Sequence, residues 1–269
     1  MIDLGTLPAD SYSEAKAIND WGTIVGASAA PLTGEASPVI WRRGKIARLA
    51  LEGTGAAFDI NNRGQILGSD LFGRCLLWED WTRQPIVLGT LGGSECYPSA
   101  INDAGVAIGV ASDAQGSFHA FVWRDGAMTQ AEPRVDTAPE FVFSVLYDIS
   151  NTGLAVGHLS IENTPRSPFT WEARRGSRFL DIEDSRAFSV NDWGVIALVQ
   201  IGEDEARLVL SDEHGAHKVV GGFGDIIIDS LMLNNRFQLV WTAWDDEGRF
   251  DIAYICRLHP RVFARSWRD

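Results

Sequence analysis

The chain has 269 residues, 45% apolar and 22% charged, with 27 Gly, 10 Trp and 13 Phe and a formal net charge of -13. That charge argues against nucleic acid as a partner, since such binding rests on Lys and Arg neutralising phosphates. No run of about 18 apolar residues is present to form a membrane-spanning helix.

Three cysteines, Cys75, Cys96 and Cys256, are too few and too odd in number for a disulfide framework. The opening Met1-Ile2-Asp3-Leu4-Gly5 lacks the charged and apolar regions of a secretion signal. A cytoplasmic protein with reduced thiols is therefore expected.

Read in chain order, one pattern returns six times. It appears as Ala17-Ile18-Asn19-Asp20-Trp21-Gly22, then Asp59-Ile60-Asn61-Asn62-Arg63-Gly64, then Ala100-Ile101-Asn102-Asp103-Ala104-Gly105. Weaker copies follow at Asp148-Ile149-Ser150-Asn151-Thr152-Gly153, Ser189-Val190-Asn191-Asp192-Trp193-Gly194 and Met232-Leu233-Asn234-Asn235-Arg236-Phe237. The anchors at 19, 61, 102, 150, 191 and 234 lie 42, 41, 48, 41 and 43 residues apart.

Each copy reads as four strands. The first ends at the anchor, and a turn with the chemistry of a type I turn closed by a left-handed Gly leads to the second. Phe237 stands where the other copies have Gly, which predicts a looser sixth turn. The third strand carries an apolar triplet such as Val39-Ile40-Trp41, Leu76-Leu77-Trp78 or Phe121-Val122-Trp123. A second hairpin, for example Arg124-Asp125-Gly126, leads to the fourth.

Four-stranded units of this length predict an all-β, six-bladed β-propeller, since a linear β-solenoid has shorter repeats. The blades are placed at about 8–49, 50–91, 92–130, 131–181, 182–220 and 221–259 of a single domain spanning 1–269. Ile2-Asp3-Leu4-Gly5-Thr6-Leu7 matches Ile86-Val87-Leu88-Gly89-Thr90-Leu91. Residues 1–7 are thus expected to add an outer strand to the sixth blade and close the ring, with the tail from Pro260 to Asp269 as the competitor.

Leu88-Gly89-Thr90-Leu91-Gly92-Gly93, the third anchor copy and His119-Ala120-Phe121-Val122-Trp123 together resemble the HAF repeat family of bacteria. The resemblance implies a propeller-like β fold and an extracellular habit. It brings no agreed activity and no catalytic residues.

Residues recurring in most units belong to the scaffold, so Trp41, Trp78, Trp123 and Trp171 are read as packing between blades. His119 is read as a hydrogen-bonded structural histidine. Function is sought where the units differ. Loops from fourth to first and from second to third strands collect carboxylates, among them Asp10, Glu35, Asp70, Glu95, Asp113, Glu162, Asp184, Glu203, Asp204, Asp225, Asp245 and Asp246. Such an acidic mouth favours a cationic or peptidic ligand, although acidic loops are also simply well solvated.

Positions at fixed offsets before the aliphatic anchor neighbour line the innermost strands. Two before it stand Lys16, Phe58, Ser99, Tyr147, Phe188 and Leu231. Combined with the other offsets, the candidate ligand-binding set is Glu14, Lys16, Asp59, Asp70, Tyr97, Tyr147, Asp148, His158, Arg186 and Asp229. Asp59, Asp148, His158 and Tyr97 are the catalytic candidates if acid–base chemistry operates there. The competing explanation is a polar, water-filled channel with ordinary salt bridges.

Asp212-Glu213-His214-Gly215-Ala216-His217 reads as a polar turn before a metal site, and Asp245-Asp246-Glu247-Gly248 lacks a calcium ligand ladder. No metal and no cofactor is expected. Gly-x-Ser-x-Gly and Gly-rich phosphate loops are absent. Cys96 is the one candidate thiol nucleophile, with acidic neighbours that disfavour its thiolate.

The leading expectation is a monomeric propeller binding a small-molecule or peptide ligand, or a protein partner, at its channel mouth, with no nucleic acid or membrane involved. The alternative is an enzyme using carboxylate, His and Tyr acid–base chemistry at the same mouth.

Overall fold

The computed structural model describes residues 2–31, 35–135, 142–162, 164–202, 206–214, 217–222, 227–244 and 250–257. Among them are twenty-three strands and no helix. The chain divides into two compact units, 1–130 and 131–269.

In the first unit, β1 (Tyr12–Ile18), β2 (Ile24–Ala29), β3 (Ala36–Arg42) and β4 (Lys45–Arg48) form the first sheet. β5 (Gly55–Ile60), β6 (Ile66–Asp70), β7 (Cys75–Trp78) and β8 (Ile86–Val87) form the second. β9 (Gly92–Ile101), β10 (Ala107–Asp113), β11 (Phe118–Arg124) and β12 (Ala127–Gln130) form the third.

In the second unit, β13 (Val142–Ile149), β14 (Ala155–Ile161), β15 (Ser167–Glu172) and β16 (Gly176–Phe179) make the fourth sheet. The fifth contains β17 (Ser185–Val190), β18 (Ile196–Ile201), β19 (Ala206–Ser211) and β20 (His217–Gly222). The sixth has three strands among the described residues: β21 (Ile227–Leu233), β22 (Gln238–Trp244) and β23 (Phe250–Arg257). Every sheet is antiparallel with its strands in chain order.

Neighbouring sheets within a unit bury their faces against one another. Val25 and Ile40 of the first sheet pack with Ala57, Ile66 and Trp78 of the second, and Leu67 and Leu77 with Ala107, Phe121 and Trp123 of the third. In the second unit Val156 of the fourth sheet meets Ile196 and Val209 of the fifth, and Leu210 meets Leu231 and Leu239 of the sixth. Third strands can be covered on both faces and so read as continuous apolar runs; all four residues of β7 are buried. Trp41, Trp78 and Trp123 are buried, while Trp171 is half-buried.

Within each unit, anchor turns tie neighbouring sheets together. Asn61 Oδ1 accepts the N–H groups of Arg63 and Gln65, and Asn61 Nδ2 donates to the Asn102 carbonyl. Asn19 does the same with Trp21, Thr23 and the Asn61 carbonyl, and Asn191 with Trp193, Val195 and the Asn234 carbonyl. The position thus needs an acceptor and a donor in one short side chain, which Asn supplies and Asp does not.

The turn at Phe237 is not looser than the others. Phe237 takes φ 57° and repeats the hydrogen bonds from Phe237 N–H to Asn234 and from Asn234 N–H to Gln238. The Asx turn and the packing of Phe237 beside the fifth and sixth sheets outweigh the steric penalty of a left-handed non-Gly residue.

Residues 2–7 are not assigned to any strand. The Gly5 carbonyl accepts from Trp41 Nε1 and Ser13 Oγ, and the Leu7 N–H donates to Ser28 Oγ, so the segment lies along the first sheet. The 260–269 tail falls outside the described residues.

The reading of the cysteines is also corrected. Cys75 of β7 and Cys96 of β9 are bonded to each other and wholly buried between the second and third sheets. Cys96 is therefore no thiol nucleophile. Sequence counting missed the pair because two cysteines 21 residues apart carry no signal until the packing of two sheets brings their Cα atoms to 5.4 Å.

Candidate functional site

A β-bulge interrupts every first strand. The skipped residues are Lys16, Phe58, Ser99, Tyr147, Phe188 and Asp229. A bulge re-aims the extra side chain, and in the second unit it brings two aromatics together. Tyr147 of β13 stacks on Phe188 of β17 with centroids 5.2 Å apart. Tyr147 also stacks on His158 of β14 at 5.6 Å and an interplanar angle of 14°, and Phe143 tilts against the same imidazole at 5.9 Å.

His158 is only 4% exposed, and its Nδ1 has no hydrogen-bond partner among the described residues. Burial, together with the Arg186 and Arg166 guanidinium groups, depresses its pKa to about 3. The ring is consequently neutral near pH 7. Arg186 Nε is likewise buried without a hydrogen-bond partner. Arg166 lies 3.6 Å from the Asp184 carboxylate. Burial pushes the Tyr147 hydroxyl above its ordinary pKa, opposed by the same two arginines. The cluster thus joins three aromatic rings, a neutral imidazole and guanidinium charge.

The other sequence candidates are placed elsewhere. In the second, fourth and fifth sheets the residue after the bulge acts as a tie between sheets. Asp59 accepts the N–H of Ile60 and, from the third sheet, that of Ile101 at 2.7 Å. Asp148 accepts from Ile149 N–H, Val190 N–H and Ser189 Oγ–H, and Ser189 Oγ in turn accepts the Leu233 N–H of the sixth sheet. Desolvation holds the Asp148 carboxyl above the usual carboxylate range, against the lowering effect of those donors. Both carboxylates are engaged by the scaffold.

Asp70 accepts the N–H groups of Phe72 and Arg74 and pairs with the Arg74 guanidinium, closing its own turn. Asp113 does the same with Gln115 and Ser117, and His119 Nε2 sits 3.2 Å from its other oxygen. Glu14 and Lys16 form an exposed ion pair. Tyr97 is half exposed and donates to Glu95, which raises its pKa. The Asp229 side chain, and all of Glu203, Asp204, Asp225, Asp245 and Asp246, lie outside the described residues.

Of the ten predicted ligand-binding residues, the structure therefore unites Tyr147, His158 and Arg186. Phe143 and Arg166 carried no signal in sequence, and Phe188 stood in the right offset class without being singled out. Among the described residues no group of His, Cys, Asp and Glu is arranged to hold a metal ion.

Comparison with solved structures matches this architecture. TolB from Acinetobacter baumannii aligns with a TM-score of 0.51 and 13% identity over 80% of this chain and 55% of its own. YCF48 bound to D1 peptide aligns at 0.50 and 10% identity, covering 88% of this chain and 78% of its own. A subtype N11 neuraminidase-like protein from a flat-faced bat virus isolate aligns at 0.53 and 11%, covering 94% and 90%. The fold is of the β-propeller type. This chain spans about half the length of that TolB. No family model and no curated protein matches the sequence.

Proposed function

We propose that the chain is a six-bladed propeller that works by binding, with a site at the Tyr147–His158–Phe188 stack beside Arg186. Two polar nitrogens buried there without hydrogen-bond partners among the described residues carry this reading. Leaving such a group unsatisfied costs about 1–3 kcal/mol, which a bound acceptor would remove. With two arginines near a neutral imidazole, the cluster favours a ligand bearing a carboxylate and an apolar group, such as a peptide terminus, over the cationic ligand suggested by the acidic loops. YCF48 with its D1 peptide exemplifies peptide capture by a propeller, and the fold alone does not assign that role.

Binding has more support than acid–base catalysis. Asp59 and Asp148 are spent on backbone N–H groups, and a histidine with a pKa near 3 is neither an imidazolium acid nor an effective base at neutral pH, while its neutral ring keeps one N–H for hydrogen bonding. The buried Cys75–Cys96 bond supports an oxidising compartment, in place of the cytoplasm expected from the first residues. That agrees with the extracellular habit of the HAF repeats the sequence resembles.

The test is fluorescence polarisation against an array of labelled tripeptides, each made as a free acid and as an amide. Free acids with an apolar last residue should bind, and Arg186→Gln or His158→Phe should weaken them about tenfold, or 1.4 kcal/mol. Equal binding of acid and amide forms, or unaffected variants, would remove the assignment.

A further inference from the structure

A cleft of about 400 Å³ opens between the first and second sheets of the first unit, within the range of roughly 300–1,000 Å³ usual for ligand sites. Trp21, the third residue of the first anchor turn, lines it and is 78% exposed. Its Nε1–H donates to the Asn62 carbonyl at 3.0 Å, so the indole is held in place while most of its surface stays in water. An immobilised, water-facing tryptophan costs apolar hydration that a ligand would relieve. Trp81, Arg42, Arg63, Glu79 and Asp80 line the same cleft.

We infer that this cleft binds a neutral oligosaccharide, with a pyranose ring stacked on Trp21. The apolar C–H face of a sugar suits a fixed indole. Its hydroxyls both donate and accept, which matches a lining of guanidinium groups that only donate and carboxylates that only accept. Two arginines balance Glu79 and Asp80, so a strongly charged ligand would meet repulsion from one pair or the other. Trp193, in the corresponding turn of the fifth sheet, offers a contrast. It is 71% exposed and pinned to the Asn235 carbonyl, but the polar lining of its cleft of about 420 Å³ includes Glu172, Asp192, Asp212, Glu213 and His214 and no arginine, the Arg175 guanidinium being already paired with Glu172 and Glu213. That cleft lacks the guanidinium donors that face Trp21, which makes Trp193 an internal control.

The experiment is isothermal titration calorimetry of the full chain with cellotetraose, maltotetraose, mannotetraose and chitotetraose, and with tetralysine and tetraglutamate as charged probes. At least one sugar should bind with a Kd below about 1 mM. Trp21→Ala should weaken it at least about tenfold, the equivalent of 1.4 kcal/mol. Because Trp21→Ala also removes a bond between sheets, Arg42→Gln provides a second reading and should weaken binding with an unchanged melting temperature. Trp193→Ala should leave the affinity in place. No binding of any of the four sugars, a Trp21→Ala variant with native affinity, or tighter binding of either charged peptide would overturn the inference.

Discussion

Asn61 donates its Nδ2–H to the main-chain oxygen of Asn102, 41 residues away, at 2.9 Å, while its Oδ1 holds the N–H groups of Arg63 and Gln65. Asn61→Asp keeps the acceptor but sets a buried carboxylate oxygen against the Asn102 carbonyl. The expected cost is about 1–3 kcal/mol, read as a lower urea midpoint. A midpoint within error of the parent would show that the turn, and not the amide, joins the sheets.

The Cys75–Cys96 bond closes a loop of 21 residues. By chain-entropy reasoning, reduction or Cys96→Ala should destabilise the protein by about 3 kcal/mol. Thiol titration of the denatured, unreduced chain should find one free group among its three cysteines. Three reactive thiols in material purified without reductant from an oxidising compartment would contradict the pairing.

His158 titrates near 6.5 when unfolded and near 3 when folded. Between these values the unfolded chain binds more protons, so stability is full above pH 6.5 and falls as pH drops towards 3. The slope contributed is at most about 1.4 kcal/mol per pH unit. Melting of the parent and of His158→Phe across pH 4–7 isolates this term, since both share every other titrating group. Parallel profiles would mean that the imidazole is accessible to protons in the folded state.

A Cβ on Gly157 would stand 1.8 Å from the Val145 carbonyl oxygen, and one on Gly26 would stand 1.9 Å from that of Glu14. Here the bulged first strand presses on the second, and the obstacle is backbone that cannot rotate aside. Gly157→Ala should therefore cost at the upper end of the roughly 1–3 kcal/mol typical of overpacking. Since Val145 pairs with His158, it should also disturb the aromatic stack, visible in near-ultraviolet circular dichroism. A variant with native stability and spectrum would refute this close approach. Leu198 occupies the matching register position in the fifth sheet, and nothing in the structure explains how it is admitted; in the sixth sheet the bulge falls at Asp229, so that position belongs to Ala243 and Trp241 pairs with Leu231 away from it.

Repetition is what the sequence alone determined: six copies, four strands each where the outer strand forms, and an Asn–Asp turn between the first two. Those features rest on local chemistry, namely Asx turns, left-handed glycines and apolar triplets, which a linear pattern records directly. The tertiary structure decided what each varying residue is for. Asp59 and Asp148 read as channel carboxylates, yet their oxygens are taken by N–H groups 42 residues on. Cys75 and Cys96 read as unpaired thiols, yet adjacent sheets bring them together. Tyr147, His158 and Phe188 converge because a bulge shifts one residue in each first strand, and bulges leave no periodic mark in sequence. Which polar group faces a neighbour's backbone and which is left without a partner depends on how sheets stack, and that is information held between strands rather than along them.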